Sequence, residues 1–589
     1  MKFEIKNNEF YLNGRPFQIR SGAIHYFRVP RAYWYDRLLK LKECGFNTVE
    51  TYAAWNLHEP KEETYDFSEE KDLGAFLTTA QELGLYAIVR PGPFICAEWD
   101  AGGFPAWLLK DRNMRLRCNY EPYMQKVSAW LKRLFAEIKP HLAENGGNIL
   151  LLQVENEYGS YGNDKAYLRK LYKLYRENGM NGLLCTADGA CANMLGRGAL
   201  GGCLTSLTFG SHTQDAFAEL DAFRAATKDG EKDPKLCMEF WCGWFDHWGS
   251  DHCVREADDV IKDIEPFMQN GWSFNLYMFH GGTNFAFYAG ANTDENERYL
   301  PDTTSYDYGA PLSETGDRTE LYYKLHDLMG KYGVSLPPIT ADDSEKAVYA
   351  DVLLTERTDL FACLPTPIES PYPLTMEEAG QSYGFILYQT VLPKGYTQDR
   401  LYIDGVADRA VVYVDGVRTA VFDRNVAPPT VMLDSSERER TLQILVENRG
   451  RINYGKNIYD RKGLSAVRYG MATLFDWKIY PLPFDVLPKK FNVYDTATDR
   501  PCFLRGALHI AHVSDTFATV KGMPRGVLWV NGHNLGRFNN EEPPQATLYV
   551  PGAYLRDGEN EWTVFAQDGA QSACKIEFSD TPVYTRIQQ

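Results

Sequence analysis

Two stretches of the sequence carry acids where acids are costly. In the first, Ile149-Leu150-Leu151-Leu152-Gln153-Val154-Glu155-Asn156-Glu157-Tyr158-Gly159, four aliphatic residues in a row imply a strand covered on both faces, with the polar cluster emerging where it stops. A Glu-x-Glu with ordinary neighbours is a solvated acidic loop; the apolar run and the nearby aromatic residues argue for the opposite here. Strict alternation puts Glu155 and Glu157 on one side and Asn156 on the other, up to a bend expected before Glu157. In the second stretch, Lys235 to Gly249, Glu239 stands among Met238, Phe240, Trp241, Trp244 and Trp248. An acid in such surroundings is either paired or kept for use. Two carboxylates facing each other beside aromatic walls describe a sugar site. One protonates a leaving oxygen, the other attacks the anomeric carbon, and aromatic faces pack on the apolar face of a pyranose.

The elements that must position these acids are legible in the periodicity. From residue 17 to about residue 332, short apolar runs alternate with stretches of helical period, the pattern of βα units around a parallel sheet. Strands are expected at 19–26, 46–55, 85–91, 149–155, 183–187, 204–209, 236–240 and 273–279. Between them, Leu73, Phe76, Leu77, Ala80 and Leu83, and then Val127, Trp130, Leu131, Leu134, Phe135 and Ile138, fall at helical spacing. This α/β pattern predicts a (β/α)8 TIM barrel over 1–335, with its site at the C-terminal strand ends and strands four and seven facing each other across the mouth. After Leu336-Pro337-Pro338 the period changes to two and turn residues recur, which reads as all-β. A linker wrapping the barrel is expected over 336–372, one sandwich over 373–485 and another over 486–589. Val411-Val412-Tyr413-Val414-Asp415-Gly416 is echoed by Val527-Leu528-Trp529-Val530-Asn531-Gly532, each followed by a further strand at 441–447 or 561–566. The echo predicts two modules built alike.

Composition excludes other classes. The 589 residues are 44% hydrophobic, 24% charged and 14% aromatic, globular values that rule out whole-chain disorder and call for two to four domains. Sixty-two basic against 79 acidic residues give a net charge of −17, which argues against nucleic acid or an acidic membrane surface as partner. The longest apolar run, 149–154, is broken by Gln153 and falls far short of the roughly 20 residues of a membrane span. Met1-Lys2-Phe3-Glu4-Ile5 leads straight into strand-like sequence without the marks of a signal peptide, so a cytoplasmic location is expected. The twelve cysteines, without repeated spacing, are expected as free thiols. Size and acidic surface allow a homodimer without requiring one.

These residues resemble glycoside hydrolase family 35, the retaining β-galactosidases built on barrels. The resemblance is carried by the stretch from Gly146 to Gly159, by blocks at 51–60, 90–109, 238–249, 275–292 and 304–316, and in the β half by 380–390, 446–455 and 530–538. It implies a barrel followed by two galactose-binding-like sandwich (jelly-roll) domains, with Glu157 as acid/base and Glu239 as nucleophile, about 5–5.5 Å apart. It further implies Asn156 at the sugar 2-OH, and a galactose pocket lined by Tyr52, Ile95, Ala97, Glu98, Trp244, Tyr277, Tyr306 and Tyr308. Trp241, less general in the family, implies with Trp244 an aromatic clamp for the leaving sugar, as in compact bacterial members that prefer β-1,3-linked galactosides. The sequence departs from the family pattern at Asn148 and at Phe538-Asn539-Asn540.

Other residues carry blander expectations. Tyr454 either reaches the barrel mouth or is structural, two readings that stand level. His247 and His252 with Cys242 and Cys253 fit no zinc-ligand spacing, so no metal or cofactor is expected. Cys96, Cys237 and Cys242 are expected as buried small hydrophobes near the site. The substrate implied is a β-galactoside oligosaccharide. The alternatives are an exo-β-glucosaminidase on the same scaffold, separable by the sugar cleaved, and a non-catalytic carbohydrate-binding protein, which turnover excludes.

Overall fold

The computed structural model describes residues 1–228, 230, 232–395, 397–426 and 429–587. Eight parallel strands close into a barrel: β1 (Arg20–Ile24), β2 (Thr48–Tyr52), β3 (Tyr86–Arg90), β4 (Ile149–Gln153), β5 (Leu183–Gly189), β6 (Leu204–Phe209), β7 (Leu236–Trp241) and β8 (Ser273–His280). All eight expected strands are present. Several stop short of their expected C-terminal ends because the residues beyond turn helical, as at Tyr26–Arg28 and Trp55–His58. The helix Glu121–Ile138 forms because Tyr123, Met124, Val127, Trp130, Leu131, Leu134, Phe135 and Ile138 recur every three or four residues and bury one face. Pro122 opens it, where its missing N–H costs nothing. The helix Leu73–Glu82 is capped by Asp72, which accepts from Ala75 N at 2.8 Å.

The barrel floor is sealed. Ile88, Leu151, Cys185, Leu204, Leu236 and Met238 form an apolar layer inside it, joined by Phe10 and Ile19 and backed by Phe3, Ile5 and Phe17. Phe3, Ile5 and Phe10 of this plug come from the three-stranded N-terminal sheet of Phe3–Lys6, Glu9–Leu12 and Arg15–Pro16. With that end filled, polar residues inside the barrel gather toward the other end. Among the described residues, no helix is long and apolar enough to cross a membrane.

Two sandwiches follow, each with a six-stranded and a four-stranded antiparallel sheet. The echoed sequences form equivalent hairpins, Arg409–Val414 with Val417–Asp423 and Arg525–Val530 with His533–Asn539. Asp415 and Gly416 have φ of 52° and 76°, Asn531 and Gly532 50° and 85°, the doubly left-handed backbone of a two-residue hairpin turn. Both hairpins also shift register just before the turn. The six-stranded sheets pack face to face through Phe385, Leu387, Val411, Phe503, Val527 and Phe565. The segment 336–372, expected as a linker, does more than connect. Thr340 and Ser344 bind the barrel through Glu43 and Asp317. Val352–Leu354 and Glu356–Asp359 then join the two sheets of the second sandwich, and Ile368–Ser370 joins the first.

The first sandwich is bolted to the barrel by Arg451, which is fully buried. Its backbone N–H and guanidinium reach Asp100 on the barrel at 2.7 and 3.2 Å, while Nε donates to Glu377 of the sandwich at 3.0 Å. At Gly450 a Cβ would lie 2.4 Å from the carbonyls of Ala289 and Gly290, so only glycine permits this approach. Replacing Arg451 by Met leaves two buried acids without their cation, and calorimetry is expected to show a loss of about 3–5 kcal/mol of stability. Adding Asp100→Asn and Glu377→Gln to that variant should restore part of the loss.

Candidate active site

β4 ends at Gln153, and the chain then turns rather than continuing as a strand. Glu155 and Glu157 have φ of 62° and 44°, so strict alternation fails here. Glu155 points away from the cavity into a bidentate ion pair with buried Arg117, at 3.0 and 2.7 Å, and Arg117 also donates to Asn156 O at 2.6 Å. Asn156 and Glu157 both face the barrel mouth. The left-handed backbone is costly for a non-glycine residue, and the Arg117 clamp is what over-determines it.

Glu239, on β7, accepts three hydrogen bonds. Tyr52 from β2 donates to Oε1 at 2.7 Å, Arg90 from β3 to the same oxygen at 2.5 Å, and the Trp241 indole to Oε2 at 3.0 Å. Arg90 is itself fixed by Gln153 at 2.9 Å and Asn156 at 2.6 Å, and its guanidinium lies 3.9 Å from the centre of the Tyr52 ring. Sequence reasoning assigned Arg90 no role. The available signal was a cation closing the buried run Ala87-Ile88-Val89, where only a partnered charge is tolerated.

Glu157 has weaker support, one hydrogen bond from Thr208 Oγ1 at 2.7 Å. Burial pushes its carboxyl up to about 7, and repulsion by Glu239 adds to the shift, while the Thr208 bond opposes it. Glu98 is raised further, to about 8, by burial and then by Asp302; its Oε2 accepts from Tyr306. Cys96, Ala97 and Glu98 form a left-handed turn with φ of 57°, 59° and 50°. That turn carries Ala97 and Glu98 to the cavity.

Glu157 and Glu239 line one cavity of roughly 180 Å³, together with Tyr52, Ala97, Glu98, Asn156, Trp241, Trp244, Tyr277, Tyr308 and Tyr454. Ile95 and Tyr306 sit just behind this wall. Ile95 O accepts from Asn156 Nδ2 at 3.4 Å, and Tyr306 supports Glu98. Cys96, Phe245 and Asn292 also line the cavity. Cys96 is buried, donates to Asn453 Oδ1 at 3.2 Å, and has its thiol pushed well up by burial, as suits a packing residue. Trp241 and Trp244 meet nearly at right angles, 84°, with ring centres 5.7 Å apart. Tyr454 comes from the first sandwich, on the loop that Arg451 anchors. His247 pairs with Asp302 at 2.9 Å and His252 with Asp246 at 2.7 Å. A larger open groove of about 1300 Å³ on the second sandwich has no aromatic residue in its lining, so size and chemistry point to different places. Two buried carboxylates, one close to a cation and one raised toward neutrality, can supply a nucleophile and an acid to the same small molecule.

The family model described as glycosyl hydrolases family 35 matches residues 9–332, the barrel. Models described as the first all-beta domain and the galactose-binding domain of beta-galactosidase match residues 373–483 and 501–560. The chain is 40% identical over 622 residues to a beta-galactosidase of Felis catus, covering 99% of this chain and 92% of that one. It is 40% identical over 624 residues to a beta-galactosidase of Homo sapiens, covering 99% and 90%. To beta-galactosidase-1-like protein 2 of Homo sapiens it is 40% identical over 605 residues, covering 99% and 92%. A match that spans the whole barrel and continues through both sandwiches, at this identity, makes the chain a member of glycosyl hydrolase family 35 and therefore a glycoside hydrolase.

Proposed function

We propose that this enzyme is a retaining exo-β-galactosidase in which Glu157 is the acid/base and Glu239 the nucleophile. The observation that carries the reading is the unequal treatment of two acids in one cavity. Glu239 accepts from Arg90, Tyr52 and Trp241, while Glu157 has a hydroxyl partner and is raised to about 7. Glu157 begins protonated and gives its proton to the glycosidic oxygen as Glu239 attacks the anomeric carbon. Once Glu239 is esterified its charge is gone, the repulsion on Glu157 falls, and Glu157 can take the proton of the incoming water. Galactose is supported by the names of the relatives. It is also supported by Glu98, a buried acceptor backed by Tyr306, whose position penalises a sugar with the wrong hydroxyl. Exo action follows from the small cavity, well below the roughly 300–1,000 Å³ that larger ligands need. The nearly perpendicular Trp241 and Trp244 rings in this cavity support an aromatic clamp for the leaving sugar, and the β-1,3 preference proposed here rests on that clamp.

Azide separates the roles. Glu239→Ala with azide should yield α-galactosyl azide, and Glu157→Ala with azide and an activated aryl galactoside should yield the β-azide; exchanged products would reverse the assignment. Glu157→Ala alone should cost about 10²–10⁴-fold on substrates with poor leaving groups.

The pH dependence has a definite sign. Since Glu157 must be protonated, kcat/KM should fall as pH rises through about 7. Thr208→Val removes the bond that favours the ionised form, so the alkaline limb should move to higher pH, by about one unit. A limb that stays in place would remove Glu157 as its source. On a panel of galactosyl disaccharides, Trp241→Ala should lose most on the β-1,3 linkage, and equal losses across the panel would count against the clamp.

A further inference from the structure

After its last strand, Cys574–Ser579, the chain turns back onto the barrel. Val583 O accepts from Ala546 N at 3.0 Å and Thr585 N donates to Pro544 O at 2.7 Å, with Gln545 and Tyr584 forming an antiparallel bridge. This two-stranded strap meets the barrel at several points, among them a side-chain hydrogen bond between Tyr584 and Ser305. Pro543 O accepts from Gly249 N at 2.7 Å, Gln545 Oε1 accepts from Ser305 N at 2.9 Å, and Ile587 N donates to Asp251 Oδ1 at 2.9 Å. A further contact is a stack: the rings of Tyr584 and His252 lie 3.8 Å apart and within 12° of parallel. His252 is held in turn by Asp246 at 2.7 Å, and Asp246 also accepts from Cys253 N at 2.8 Å.

Gly249, Asp251 and His252 belong to the loop that leaves β7 and carries Trp244. The barrel fixes that loop at both ends, since Arg255 donates to the carbonyls of Trp241 and Gly210, each at 2.7 Å. Its middle is tied to Pro301 and Asp302 and to the strap. Trp244 is 44% exposed although it lines the cavity, and its ring neighbours are Trp241 and Phe245. So little burial does not by itself hold a large ring in one place, whereas Phe245 and Trp248 on the same loop are buried, so the position of the Trp244 ring follows from how its loop is set. The inner wall differs. Tyr306 and Tyr308 are buried, and the Arg28 guanidinium sits 3.8 Å from the centre of the Tyr306 ring.

We propose that Tyr584 is a specificity-determining positioning residue, whose stack on His252 holds the Trp244 loop as the wall against which the leaving sugar rests. The inference depends on the galactosidase reading and on the mouth of the cavity being the leaving-sugar side. Loss of the stack loosens the outer wall at Trp244 and leaves the buried inner wall of Tyr306 and Tyr308 in place.

The test uses the full-length protein, a galactosyl disaccharide as substrate and free galactose as inhibitor. Tyr584→Ala should raise the disaccharide KM about three- to tenfold, the worth of one aromatic pair. Its kcat and galactose inhibition constant should stay within about twofold of wild type. Tyr584→Phe, which keeps the ring and gives up only the hydroxyl contact with Ser305, should stay within about twofold of wild type. His252→Ala breaks the stack from the barrel side and should reproduce the effect, so the proposal stays testable if Tyr584→Ala does not fold. The double variant should lose no more than either single one. An unchanged KM, or a galactose constant that rises in parallel, overturns the proposal. Wild-type enzyme that neither cleaves galactosides nor binds galactose would instead overturn the reading beneath it.

Discussion

A single guanidinium organises the interior of the barrel. Arg90 is fully buried within reach of two acids. It donates to Glu239 at 2.5 Å, while its Nη1 stands 3.8 Å from Glu50 on β2. Attraction at fixed dielectric falls with distance, and the cost of burying a charge does not. Glu239 is the acid that Arg90 serves closely, through a donated hydrogen bond. Those it serves poorly are pushed toward neutrality, Glu50 to about 7 and Glu157 also to about 7. The acid and the nucleophile of the proposed reaction thus differ by where one cation stands. Gln153, Asn156 and the Tyr52 ring hold that cation, which links β2, β3, β4 and β7 into one constraint.

The sandwiches belong to the same construction. The loop that follows Arg440–Glu447 delivers Arg451 to Asp100, Asn453 to the barrel loop at Ala291 and Asn292, and Tyr454 to the cavity. Asn453 also accepts from Cys96, next to the strained turn that presents Glu98. The second sandwich contributes as well. Thr304 donates to Arg537 O at 2.7 Å, and at Gly536 a Cβ would lie 2.4 Å from the Thr304 methyl. A barrel without these contacts would keep both carboxylates and lose part of the mouth that surrounds them.

Much of this was legible in the residues. The four-aliphatic run before Glu155 marked a buried strand end, and the hydrophobic period gave eight strands within a few residues of those observed. The hairpin echo at 411–416 and 527–532 gave two sandwiches built alike. What escaped had a common cause. Alternation assigned Glu155 and Glu157 to one side, but a pattern of residue types does not report a positive φ, and a distant Arg117 decides which of the two turns inward. The buried run before Arg90 marks a charge that needs a partner without saying which one, and Thr208 carries no local mark at all, since both act through residues far along the chain. The strands within 336–372 pair with segments beyond residue 476, and short edge strands announce themselves weakly.

The sequence by itself determined the periods of burial, hence the barrel and the two β units, and it marked two acids in apolar settings as expensive. Those are local properties, set by which side chains a few neighbouring residues can hide from water. Only the tertiary structure decided which oxygen faces which cation, that Tyr454 reaches the cavity from another domain, and that Tyr584 rests on His252. Such outcomes depend on distances between residues remote in sequence and on how deeply the assembled fold buries them, and the electrostatic and packing energies at a site follow from both.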